Sequence, residues 1–200
     1  FSQFICPIDG PESVTNTWTV LNLDTTPNNQ RYLPYRSQSV RNAYEVGGTK
    51  NGLWITQSTN TRTVNSWGNT TSGGTTVVDK DTGSPWYGQS HSASVSATYS
   101  ENATTWCLAL PTTRVETRTL PGGSSQTRRT HWTVDAATSC RTTQEVVEPY
   151  ETSDKSLTTD FGYDSCGNVS SASTYPSGLP AQARNTSLNH GSRCQRPETV

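Results

Sequence analysis

The sequence predicts an all-β fold of antiparallel strands and hairpins, and three observations predict it. The first is composition. Of 200 residues only 30% are hydrophobic, Met is absent, and Ser and Thr together make up about 30%. Six Trp, eight Tyr and three Phe stand among abundant Thr and Val, the aromatic and branched side chains that pack well on a pleated surface. A disordered chain would be charged and poor in such residues, whereas only 16% of this one is charged. The second observation is a period-two alternation of apolar and hydroxyl side chains. The third is a cluster of turn formers between alternating runs, about every 8–14 residues. With so little apolar side chain to bury, the core is expected to be thin.

In chain order, residues 17–23 (TWTVLNL) alternate and end at the turn signal TTPNN, 25–29. Residues 39–46 (SVRNAYEV) come nearest to a helical pattern, yet Val40, Tyr44 and Val46 equally fit a strand, and EVGGTKNG (45–52) breaks the run. The next strand is 53–59 (LWITQST), after which TSGG (71–74) and DTGSP (81–85) read as turns. The clearest strand is HSASVSATYS, 91–100. Its His91, Ala93, Val95, Ala97 and Tyr99 alternate strictly with Ser and Thr. Residues 112–120 (TTRVETRTL) and 129–135 (RTHWTVD) are parted by PGGSS, 121–125, and 142–148 (TTQEVVE) follows. In 157–163, Leu157, Thr159, Phe161 and Tyr163 share one face and Thr158, Asp160 and Gly162 the other, before YPSGLP (175–180) marks a last turn. No linker divides the chain.

That last strand runs into FGYDSCGNVSS, 161–171, where Gly167 and Asn168 permit a tight turn with positive φ. A related pattern, TVNSWGNTTS, occupies 63–72, and Asn168 lies 99 positions after Asn69. Recurrence of one turn in one register is the signature of a repeat architecture.

FGYDSCGNVSS resembles the YD-repeat motif of bacterial RHS proteins, in which Tyr-Asp, two variable residues and Gly-Asn with an apolar residue recur along a long chain. Tyr163, Asp164, Gly167, Asn168 and Val169 match it residue by residue. In the earlier copy Val64, Asn65, Gly68, Asn69 and Thr70 take those places, so Tyr and Asp are lost there. The segments LPYRSQSVRNAYEV, WCLALPTTRVETRT and HGSRCQRPETV are similar to those that join YD units. The resemblance covers nearly all of 1–200, with a degenerate unit around 53–120 and a clearer one around 156–200, incomplete at both ends. It implies that successive repeats wind into a solenoid-like β-shell enclosing a C-terminal toxin. The expected partners are then neighbouring repeats and that toxin, in a secreted or bacterial cell-surface protein. The family's self-cleaving segment and toxin are not found here, so the chain is expected to be shell wall and no enzyme. Phe1 at the start and the lack of Met fit a piece of a longer polypeptide.

Other function classes find little support. A net charge of −1 from 15 basic and 16 acidic residues creates no field for nucleic acid. No apolar run approaches the roughly 20 residues of a membrane span, and the first residues have no signal-peptide pattern. Cys6, Cys107, Cys140, Cys166 and Cys194 make no CxxC, so no zinc site is expected. A partial disulfide framework and free thiols both remain open. His91, His131 and His190 are scattered, and a triad of His131, Asp135 and a serine lacks a nucleophile elbow. DKDTGS (79–84) begins like a calcium loop, but its twelfth position is Ser90 where an EF-hand needs Glu; an Asp-rich turn is preferred. No carboxylate pair stands out for glycoside hydrolysis. TRRTHW (127–132) reads as a cross-strand ion pair or solvated face, and the sequons at Asn69, Asn102, Asn168 and Asn185 follow from the Thr and Ser content. No cofactor is expected. The competing reading is a carbohydrate- or cell-surface-binding β module, binding surface glycans through exposed Trp54, Trp86 and Trp132.

Overall fold

The computed structural model describes residues 3–6, 12–152 and 155–190, with the side chains of 3–6 left aside. Among them there is no α-helix, and twelve strands follow one another. They are β1 Gln3–Cys6, β2 Glu12–Asp24, β3 Arg31–Tyr44, β4 Trp54–Val64, β5 Thr70–Asp79 and β6 Ser90–Tyr99. Then come β7 Pro111–Thr119, β8 Ser125–Asp135, β9 Arg141–Val147, β10 Leu157–Tyr163, β11 Val169–Pro176 and β12 Arg184–Ser187. Each is hydrogen bonded to its neighbours in the chain, in the order β1 to β12. The assigned pairings are antiparallel, as short hairpin connections require.

The chain forms two compact units, Phe1–Ser96 with Glu116–Thr127, and Ala97–Val115 with Arg128–Val200. The division falls within β6, β7 and β8. That is why no linker in the sequence marks it.

All the strands read from alternation are present, and residues 39–44 of the ambiguous SVRNAYEV belong to β3. One turn signal is corrected. TSGG lies inside β5, where Gly73 pairs with Arg62 and Gly74 with Thr61. A Cβ on Gly73 would sit 2.9 Å from the Thr61 carbonyl oxygen, and one on Gly74 2.8 Å from that of Ala93. These glycines serve close approach of neighbouring backbones, not chain reversal.

The core is as thin as the composition demands. Among the described residues only Cys107, Ser39, Ser156 and Thr158 are buried. Hydroxyl pairs across adjacent strands stand where apolar contacts would. Thr19 donates to Ser37 at 2.7 Å, and Thr63 lies 2.7 Å from Ser72, Thr117 3.0 Å from Thr127, and Thr159 3.1 Å from Thr174. Thr98 reaches both Thr112 and Thr113, at 2.7 and 2.6 Å. Such cross-strand pairs contribute about 0.2–1 kcal/mol each, which explains how a chain rich in Thr stabilises a sheet without a large core.

Candidate functional site

The recurring turn is the feature that the sequence singles out. After β10, the Asp164 amide donates to the Asn168 carbonyl at 3.0 Å and the Gly167 amide to the Asp164 carbonyl at 3.1 Å. Gly167 has φ +91°, the left-handed geometry expected of it. The Asp164 carboxylate accepts from the amides of Cys166 and Asn168, both at 2.9 Å, and from Asn168 Nδ2 at 3.2 Å. Desolvation pushes the Asp164 carboxyl up, but these hydrogen bonds, with His190 nearby, outweigh it and hold its pKa below the ordinary value. Tyr163 donates its hydroxyl to the Thr142 carbonyl on β9 at 2.6 Å, and the Arg141 guanidinium lies 5.2 Å from its ring centroid. His190, its side chain only 10% exposed, places Nδ1 3.4 Å from Asp164 Oδ2. A register shift between Gly162 and Tyr163 then opposes Tyr163 to Val169, the first residue of β11.

The earlier copy keeps the turn and has Val64 in place of the tyrosine. Asn65 exchanges the same backbone bonds, its amide to the Asn69 carbonyl and the Gly68 amide to its own carbonyl, each at 3.0 Å. Its Oδ1 accepts from the amides of Trp67 at 3.1 Å and Asn69 at 2.9 Å. Gly68 has φ +82°, and a register shift again precedes the turn, opposing Val64 to Thr70. The amide oxygen of Asn65 thus replaces one oxygen of Asp164, while Val64 has no hydroxyl to match Tyr163. Between β7 and β8 the turn expected at PGGSS is present and has the same backbone bonds as these two. There the Leu120 amide donates to the Ser124 carbonyl and the Gly123 amide to that of Leu120, with Gly123 at φ +89°. Leu120 offers no side-chain acceptor, so the sequence marks this turn by the Gly-Gly pair of PGGSS and not by the Asx and Gly-Asn pattern of the other two.

The open question about cysteine is answered for three of the five. Cys107 and Cys140 form a disulfide with Cα atoms 5.4 Å apart, and Cys166 is disulfide-bonded too. Cys194, with most of HGSRCQRPETV, lies outside the described residues. The loop carrying Cys107 also rests on the β8–β9 turn, where Asn102 Nδ2 donates to the Ala136 carbonyl at 3.0 Å. In that turn Asp135 is pulled down to about 2 by hydrogen bonds from the Thr138 and Ser139 side chains and backbone. Those bonds occupy the carboxylate that a triad would aim at His131.

The remaining candidates resolve locally. Asp79 accepts from the Asp81 amide at 2.9 Å and from Ser84 Oγ at 2.6 Å, and Asp81 accepts from the Gly83 amide and pairs with Lys50 at 2.8 Å. This is the Asp-rich turn. Among the described residues no group of three His, Cys, Asp or Glu is placed to hold a metal ion, and no helix is long and apolar enough to cross a membrane. In TRRTHW, Arg128 pairs with Glu148 at 3.7 Å and Arg129 lies 5.9 Å from the Tyr150 ring centroid.

The three tryptophans diverge. Trp132 is half-buried, and Trp54 is 36% exposed beneath Lys80, whose Nζ is 4.8 Å from its ring centroid. Trp86 is 56% exposed and lines an open groove of about 520 Å³. Compared with known proteins, the chain matches no family model, and no curated protein is significantly similar to it.

Proposed function

We propose that this chain is a structural, non-enzymatic segment of an RHS/YD-repeat β-shell that encloses the C-terminal toxin of a larger bacterial protein. The observation that carries the reading is a sheet whose strands pair in chain order while almost no side chain is buried among the described residues. Such an arrangement suits a wall: each strand depends on its sequence neighbours, and stability accumulates with every added repeat. The Asp164 turn and its two counterparts supply the recurrent reversal that winding requires, and a hydroxyl-rich surface suits a shell that holds a cargo without a continuous apolar lining. The Cys107–Cys140 disulfide supports export from a reducing cytosol. Sedimentation tests the reading by comparing this chain with one extended by several repeats on each side. The expected result is self-association or loose order for the short chain and a compact, cooperatively unfolding longer one. A short chain that stays monomeric and unfolds in one cooperative step would refute it.

One observation favours a second reading, a carbohydrate- or surface-binding module. Trp86 leaves much of its ring open to solvent beside the groove it lines, where apolar burial would have covered it.

A further inference from the structure

We infer that the groove beside Trp86 is a binding site for a neutral glycan, with Trp86 as the platform on which a pyranose ring stacks. The inference rests on the second reading above and names its site and ligand class. The groove is built from residues distant in sequence. Thr56 pairs with Asp79, and the Asp79 amide donates to the Gln89 carbonyl at 3.0 Å, so these three form one row across the strands. Val77 pairs with His91 in the next row of the same face. Trp86 and the exposed Leu120–Pro121 turn complete the lining.

Two features make this a site and not a mere gap. The platform is preorganised: Asp79 and Asp81 fasten the 79–88 turn, the Trp86 amide donates to Ser84 Oγ at 3.1 Å, and the Gly88 amide donates to the Asp79 carbonyl at 2.9 Å. A ring held in advance loses little freedom on binding. In addition, Gln89 and His91 are exposed at the groove and their side chains make no hydrogen bond among the described residues, leaving donors and acceptors beside an apolar surface.

That pairing decides among occupants. An apolar peptide segment would cover Trp86, Val77 and Leu120 but strand the polar groups of Gln89 and His91, at a desolvation cost. Among the described residues a polyanion meets no Lys or Arg in the lining and is repelled by Asp79. A neutral sugar has both chemistries, an apolar C–H face for the indole and a rim of hydroxyls for Gln89, His91 and Thr56.

The test is titration calorimetry of the full chain with cellotetraose, maltotetraose, N-acetylchitotetraose and galactotetraose, with a heparin tetrasaccharide and a proline-rich peptide as competing classes. At least one neutral tetrasaccharide should bind saturably. Trp86→Ala should weaken it about tenfold or more, and Gln89→Ala about threefold to tenfold, as loss of a stack and of one hydrogen bond imply. Trp106→Ala should leave it unchanged, since Trp106, 74% exposed, takes no part in the groove. Neutral-glycan binding that survives Trp86→Ala would overturn the site while leaving the module reading intact. Absence of binding by all four neutral glycans, or binding only of heparin or the peptide, would overturn both.

Discussion

The turns after β10 and after β4 share one backbone and differ in what holds it. In both, a side-chain oxygen at the first position accepts two backbone amides and a glycine takes positive φ. Around Asp164 the structure adds the Tyr163 hydroxyl on β9, the Arg141 guanidinium over the Tyr163 ring and His190 beside the carboxylate. Around Asn65 the Tyr163 position is Val64, which lines an open groove with Trp18, Leu33 and Tyr35. The backbone path itself needs the glycine, and the side-chain acceptor that these two turns share is an addition to it, since Leu120 forms the same backbone bonds without one. The Tyr and Asp of the full motif tie that turn to the strand before it and make it sensitive to charge.

The largest expected effect breaks the comparison at its anchor. Cys140 directly precedes Arg141 and Thr142, the two residues that hold Tyr163. Its disulfide closes a separation of 33 residues, for which chain entropy gives about 3–4 kcal/mol. Cys140→Ala, read by urea unfolding, should cost about that much. Amide exchange should distinguish the turns: protection at Asn168 should fall much further than at Asn69. Equal loss at both would mean that the anchors contribute nothing beyond global stability.

Next in size is a glycine series. A side chain at +91° is strained wherever it stands, but a Cβ on Gly167 would also collide with the Arg141 guanidinium. Among the described residues the nearest atom to a Cβ on Gly68 would be Leu33 Cδ2 at 3.7 Å, and nothing lies within 4 Å of one on Gly123. Gly167→Val should therefore cost about 2–3 kcal/mol, against about 1–2 kcal/mol for Gly68→Val and Gly123→Val. Indistinguishable midpoints for the three would show that Arg141 yields freely.

This contrast also marks how far the sequence could be read. The strands were legible because alternation is local, and the turns at 65–69 and 164–168 because Gly-Asn follows an Asx residue at fixed spacing. Gly73 and Gly74 misled because a glycine needed for reversal and one needed for close strand approach look alike until the neighbouring carbonyls of Thr61 and Ala93 are in place. The Cys107–Cys140 pair had no spacing to betray it. Nor had the groove at Trp86, whose lining comes from β4, β5, β6 and two turns. What escapes the sequence is what distant strands bring together.

A smaller effect isolates the tyrosine. Tyr163→Phe keeps the ring for Arg141 but removes the bond to the Thr142 carbonyl, at a cost of about 0.5–1.5 kcal/mol. Val64→Ala in the other copy deletes no hydrogen bond, so only the Tyr163 variant should raise amide exchange at the start of β9. Unchanged exchange there would reduce the Tyr163 contact to a packing role.

The smallest effect, and the sharpest for the comparison, is titration. Asp164 has a folded pKa below its ordinary value, while Asn65 cannot ionise. A depressed carboxyl contributes stability that is fully present above its unfolded pKa, about 3.9, and is lost as pH falls through the folded value. Asp135, at about 2, loses its own contribution between about pH 4 and 2 and supplies a background common to all variants. Asp164→Asn should make the second turn resemble the first, so the loss of stability from pH 5 to 2 should be shallower than in the parent chain. Asn65→Asp should steepen the loss only if the acceptor geometry alone depresses the pKa. If Asn65→Asp leaves the slope unchanged while Asp164→Asn flattens it, the acid sensitivity belongs to His190 and the surroundings of Asp164, not to the turn. Melting temperatures of the parent chain and the two variants, taken at half-unit pH steps, would decide between these outcomes, and equal slopes in all three would remove titration as a difference between the turns.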